Sequence, residues 1–120
     1  MDKECTLDSL KLEVKNFCES REWDQFHNPK DLAIGIITEA SELLEFFRFK
    51  NEAEQIQMLS DKTLKAKISE EISDILFFIL RFSQRFDIDI SDAFINKMDK
   101  NEKNYPAEKS IGSNKKYTDF

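Results

Sequence analysis

Turn-forming residues are nearly absent from this chain: its 120 residues include only Gly35, Gly112, Pro29 and Pro106. With so little punctuation, many short strands joined by tight turns are excluded and long helices are favoured. Cysteine is equally scarce. Cys5 and Cys18 stand in no metal-ligand spacing, and the single bridge they could form is not the disulfide framework of a secreted domain, so reduced thiols are expected. Histidine occurs once, as His27, which removes the Glu-x-x-His ligands of a ferritin-like di-iron bundle. The longest uncharged apolar stretch, Ile75 to Leu80, falls far short of the ~20 residues that span a bilayer. The opening MDKECTLDSL is acidic and mixed, unlike a secretory or mitochondrial leader. A cytoplasmic location with no membrane partner is the expectation. Positive charge is also in deficit, 18 Lys and Arg against 24 Asp and Glu, for a net charge of −6. That balance argues against sequence-independent binding to nucleic acid. It leaves room for a small phosphorylated ligand, because a metal ion and a few lysines reverse the sign locally.

What is present is organised as helices. The length suggests one domain, an all-α unit over residues 1–106 followed by a polar tail over 107–120. A first helix is expected from about Leu7 to Arg21 with Thr6 as its N-cap, and a second from Pro29 to about Lys50 behind Asn28. Residues 51–60 read as a loop with at most a short helical turn. A third helix then runs from about Asp61 to Phe86 and a fourth from Ser91 to Asn104, ended by Tyr105-Pro106. The second and third helices are apolar on more than one side: Ile34, Ile37 and Leu44 on one, Leu76, Phe77 and Leu80 on the other. Four helices of this length cannot cover all of that, so a homo-oligomer is expected.

Two acid pairs sit inside these apolar arcs. Glu39-x-x-Glu42 and Glu71-x-x-Asp74 have the i, i+3 spacing that places both members on one side of a helix, among Leu32, Ile36, Leu43 and Phe46 in one case and Ile68, Ile75, Phe78 and Phe82 in the other. Like charges at this spacing cost about 0.2–0.5 kcal/mol in water, and burial multiplies the penalty. A divalent cation held between two facing helices removes it. Mg²⁺ suits carboxylate oxygen and takes substrate phosphate oxygens in its remaining positions. The competing reading is surface acids in salt bridges, with Arg81 and Arg85 placed to pair with Asp74.

Two other groups bear on a ligand. Trp23-Asp24-Gln25-Phe26-His27 crowds aromatic faces, an amide and an imidazole into one connector, the materials of a pocket that stacks a base and bonds its edge. Against this stands a structural histidine beside a core tryptophan. Lys97 and Asn101 share a helical stripe and could reach phosphate oxygens, or could be a solvated face. There is no glycine-rich phosphate loop.

In order and spacing, Trp23–His27, Glu39-Ala40-Ser41-Glu42, Glu70-Glu71-Ile72-Ser73-Asp74, Lys97–Asn101, Tyr105-Pro106 and Lys116-Tyr117-Thr118 resemble the all-α MazG-type nucleotide pyrophosphohydrolases, most closely their dCTP pyrophosphatase branch. The resemblance runs from about Thr6 to Tyr117. It implies a four-helix MazG-type bundle assembled as a tetramer, a dimer of dimers, and Mg²⁺-dependent hydrolysis of a dNTP to the monophosphate and pyrophosphate. Glu39, Glu42, Glu71 and Asp74 would be the catalytic metal ligands. Trp23, Asp24, Gln25, Phe26 and His27 would line the nucleoside pocket, with Phe49 and Phe78 beside them, and Lys97, Asn101, Tyr105 and Lys116 would face the triphosphate. Val14, Phe49 and Phe78 stand where animal dCTP enzymes carry a histidine, a tryptophan and a tyrosine, so base selectivity is where this chain should differ. The alternative is a non-catalytic helical oligomerisation or nucleotide-binding module.

Overall fold

Short polar side chains write the helix starts of this chain. The structure, a computed structural model, describes residues 1–119. Helix α1 (Leu7–Glu19) opens at Thr6, whose hydroxyl accepts the Ser9 N–H while the Ser9 hydroxyl accepts the Thr6 N–H, a reciprocal cap. Helix α2 (Pro29–Phe47) opens at Asn28, whose Oδ1 accepts the Asp31 N–H at 2.9 Å, with Pro29 in the first helical position. Asn51 and Glu54 cap each other's backbone at the start of α3 (Glu52–Met58). Asp61 caps α4 (Lys62–Arg85), and Asp89 caps α5 (Ile90–Asn104). A single turn, α6 (Ala107–Ser110), follows Pro106, and 3₁₀ turns occupy Trp23–Phe26 and Tyr117–Asp119. Among the described residues there is no strand, so the all-α class stands, with two short helices beyond the four expected.

The boundaries differ where backbone sign changes intervene. Helix α1 ends before Arg21 because Glu22 turns to φ +54, and α2 stops short of Lys50 because Phe49 turns to φ +65, a left-handed conformation no helix continues through. Residues 51–60, read as loop, contain α3, because the Asn51/Glu54 cap satisfies orphan donors at its start.

The chain divides into Met1–Asp87 and a second unit from Ile88 onward. In the first, α4 packs against both α2 and α1. Val14, Cys18 and Leu80 are buried there, with Leu10, Trp23 and Phe77 against them. Leu32 of α2 and Ile68 of α4 are buried too. Phe17 meets Trp23 and Phe77 edge-on with centroids 5.5 and 6.0 Å apart, and Phe77 meets Phe78 at 5.2 Å, the favoured aromatic geometry. Gly35 explains how α2 and α4 come so close. A Cβ added there would lie 2.5 Å from the Phe78 ring. Both cysteines are free thiols, Cys18 buried and Cys5 exposed.

In the second unit, the Tyr105 and Tyr117 rings meet edge-on at 5.6 Å. The segment read as a polar tail therefore carries helix α6 and a ring contact back to the end of α5. Among the described residues no helix is long and apolar enough to cross a membrane.

Candidate functional site

Glu39 and Glu42 stand one turn apart on α2, and α4 brings Glu71 to meet them. One carboxylate oxygen from each lies within 4.8 Å of the others. Oε2 of Glu39 and Oε2 of Glu71 are buried with no hydrogen-bond partner. Such orphaned acceptors are costly, and their electrostatics show it. Burial, then hydrogen bonding and repulsion from Glu42, then the charges of Asp74 and Glu71, push the Glu39 carboxyl up to about 7. Glu71 is raised for the same leading reason, desolvation, followed by Glu42 and Asp74. Asp74 lies outside the three-oxygen group, yet its charge acts on both.

Glu39, Glu42, Glu71 and Asp74 form none of the described ion pairs Met1–Glu4, Arg48–Glu45 and Arg81–Asp24. The salt-bridge reading of Asp74 thereby loses Arg81, which Asp24 takes instead. Converging all-oxygen donors with unfilled acceptor capacity match what a hard divalent ion such as Mg²⁺ requires. The donor set fits.

The connector between α1 and α2 is held from α4. Arg81 is fully buried. Its Nε donates to Nδ1 of His27 at 2.8 Å, Nη1 donates to Oε1 of Gln84 at 2.7 Å, and Nη2 donates to the Asp24 carboxylate. The guanidinium holds the Asp24 carboxyl below its ordinary range. Burial, assisted by Arg81, lowers His27. Trp23 packs edge-on against His27 at 6.0 Å and against Phe17. Gln25 donates from Nε2 to the Glu22 carbonyl at 3.0 Å, and Phe26 is exposed. The five connector residues thus divide: Asp24, Gln25 and His27 bond within the protein, Trp23 packs against the His27 ring, and Phe26 is exposed. The sequence set Arg81 against Asp74, and its grip on the connector was missed. The available signal was a cation flanked by Leu80 and Phe82, which demands a partner once buried.

Phe78 covers Gly35, while Phe49 is 90% exposed beneath the Arg48 guanidinium, 4.7 Å from its ring centroid. Lys97, Asn101, Tyr105 and Lys116 all belong to the second unit. An open apolar cleft of about 370 Å³ runs between α1 and α4, lined by Leu10, Val14, Phe17, Leu76, Phe77 and Leu80 among others.

Comparison with known proteins is consistent with this arrangement. The chain is similar to dCTP pyrophosphatase 1 of Rattus norvegicus, at 36% identity over 117 residues covering 98% of this chain and 69% of the relative. It is 33% identical to the Homo sapiens dCTP pyrophosphatase 1 over the same shares. The crystal structure of a pyrophosphatase from Archaeoglobus fulgidus superposes with a TM-score of 0.77 at 35% identity, covering 82% of this chain and 91% of that one. The model of the MazG-like family matches residues 34–120, the stretch that holds all four acids, and the chain belongs to that family.

Proposed function

We propose that this chain is a nucleotide pyrophosphohydrolase that hydrolyses a deoxynucleoside triphosphate to the monophosphate and pyrophosphate. dCTP, or a related or modified dNTP, is the first choice of substrate, since the relatives named above are dCTP pyrophosphatases. The observation that carries the reading is the cluster of Glu39, Glu42 and Glu71 oxygens within 4.8 Å, two of the acids having buried, unpartnered oxygens.

Glu39, Glu42, Glu71 and Asp74 would hold Mg²⁺, which when bound supplies charge neutralisation for the triphosphate and acidifies water. The chain's own residues supply the rest. One of these carboxylates would assist in taking a proton from the attacking water. Packing of α2 against α4 fixes the spacing of the acids, so little reorganisation remains for the transition state. Trp23 offers a stacking face and His27 a hydrogen-bonding edge for the base. For the triphosphate we retain Lys97, Asn101, Tyr105 and Lys116, whose side chains suit phosphate oxygens.

A homo-oligomer, a tetramer in our reading, is supported by apolar side chains left open on α2 and α4: Ile37 is 70% exposed, and Ile34, Leu44, Ile72 and Leu76 are exposed too. Light scattering is expected to give a mass above that of one chain, and a monomer at micromolar concentration would end that part of the reading. The function itself is tested by pyrophosphate release across a panel of dNTPs and NTPs, with Mg²⁺ or with EDTA. Metal-dependent release, strongest with a deoxycytidine nucleotide, is expected. A folded chain that releases none from any nucleotide would overturn it.

A further inference from the structure

Arg81 spends its guanidinium on the connector: Nε on His27, Nη1 on Gln84 and Nη2 on Asp24. A guanidinium only donates, so Nδ1 of His27 must be the bare nitrogen, and a neutral imidazole then carries its one proton on Nε2. The two ring nitrogens diverge, so the Nε2–H faces away from Arg81. Nothing on the neighbouring elements favours the charged ring except Asp24. Arg81 and Arg85 both oppose it, and burial opposes it most. Asp24 is itself engaged by Arg81. The ring is also packed edge-on against Trp23 at 6.0 Å, so fixing one orients the other.

We propose that Arg81 is a positioning residue that locks His27 as the Nε2–H tautomer, so that the Trp23–His27 wall presents one stacking face and one fixed hydrogen-bond donor. The ligand atom it selects is an acceptor, such as a carbonyl or unprotonated ring nitrogen on a nucleobase edge. This rests on the reading of Trp23–His27 as nucleoside pocket. It adds why a histidine can serve there without becoming charged, and why its support comes from α4 and not from the connector itself. A site built to donate to an acceptor discriminates strongly against a base lacking one, because the donor is then left unpaired.

Because His27 is the only histidine, the nitrogen and carbon-bound proton resonances of one imidazole report the lock directly. In the wild-type chain, Nε2 is expected protonated and Nδ1 bare at neutral pH, with a titration midpoint below that of free histidine. In Arg81→Leu and Arg81→Met, which donate nothing to Nδ1, the ring should exchange between tautomers and titrate nearer its ordinary value. KM for the preferred nucleotide should rise about tenfold with little change in kcat, the scale of one lost hydrogen bond. His27→Phe, which keeps a ring against Trp23 but has neither nitrogen, should raise KM by a similar factor with little change in kcat. A wild-type ring protonated on Nδ1, or an Arg81 variant with unchanged tautomer, or an effect confined to kcat, would overturn the proposal. Should both Arg81 variants fail to fold, the wild-type spectrum and His27→Phe still decide it. Trp23→Ala with unaltered KM would instead remove the pocket reading while leaving the tautomer lock standing.

Discussion

At the scale of single residues, the chain gathers negative charge on the facing sides of α2 and α4, where Glu39 and Glu71 are half-buried. Glu39 meets Glu42, Asp74 and Glu71 in a setting that raises its carboxyl to about 7, and no described basic side chain pairs with it. Ionised and without a cation, these acids repel one another and disfavour the folded chain, and a bound ligand of positive charge would relieve that. Replacing one of them separates stability from function. Glu39→Gln and Glu42→Gln should each reduce pyrophosphate release by 10²-fold or more, the order of losing a positioned acid–base or charge-stabilising group. Each should also leave helicity intact and raise the metal-free melting temperature by roughly 2–5 °C as repulsion is relieved. Circular dichroism melts beside the activity assay read both. A variant that melts lower in EDTA and keeps its turnover would show that these carboxylates are structural.

At the scale of elements, the site exists because α2 and α4 touch closely, and Gly35 permits it. A methyl group there would meet the Phe78 ring at 2.5 Å, and Phe78 is wedged against Phe77. Alanine would gain up to about 1 kcal/mol of helix propensity, but overpacking costs about 1–3 kcal/mol. Gly35→Ala is expected to destabilise by about 1–2 kcal/mol net, and Gly35→Ala combined with Phe78→Leu should recover part of that loss in a double-mutant cycle by urea denaturation. Strict additivity would mean the two residues do not oppose each other. Much of this level was legible in the sequence. Thr6, Asn28-Pro29 and Asp61 marked helix starts because capping is a local, side-chain-encoded event. Glu39, Glu42 and Glu71 were legible as a cluster because i, i+3 acids in an apolar arc have nowhere else to point. The ends of α1 and α2 were not, since Glu22 and Phe49 enter left-handed backbone without a glycine to signal it. Nor was the partner of Arg81: Asp24 lies 57 residues away, and no local pattern specifies a pairing at that separation.

For the whole molecule, these groups set opposite demands on pH, and their balance depends on whether the acid cluster is filled. Glu39 and Glu71 bind protons more tightly folded than unfolded. Their contribution is fully present below the ordinary value of 4.5 and is lost as pH rises through about 7 for Glu39. Asp24 and His27 are lowered in the folded chain from 3.8 and 6.5. Their contributions are present above those values and are lost as pH falls through the folded ones. Between about pH 8 and pH 5 the carboxyl cluster dominates, because His27 alone opposes it there and Asp24 is lost only at stronger acidity. The metal-free chain should accordingly melt higher at mildly acidic pH than at pH 8. A divalent ion competes with those same protons, and it stabilises by mass action only while the acids are ionised. The rise in melting temperature on replacing EDTA with millimolar Mg²⁺ should thus be greatest near pH 8 and shrink toward zero by about pH 5, so that the two stability curves converge on the acid side. Scanning fluorimetry with the single Trp23 as probe measures both curves in one series. Curves that ran parallel across the range would place any bound ion elsewhere than on Glu39 and Glu71.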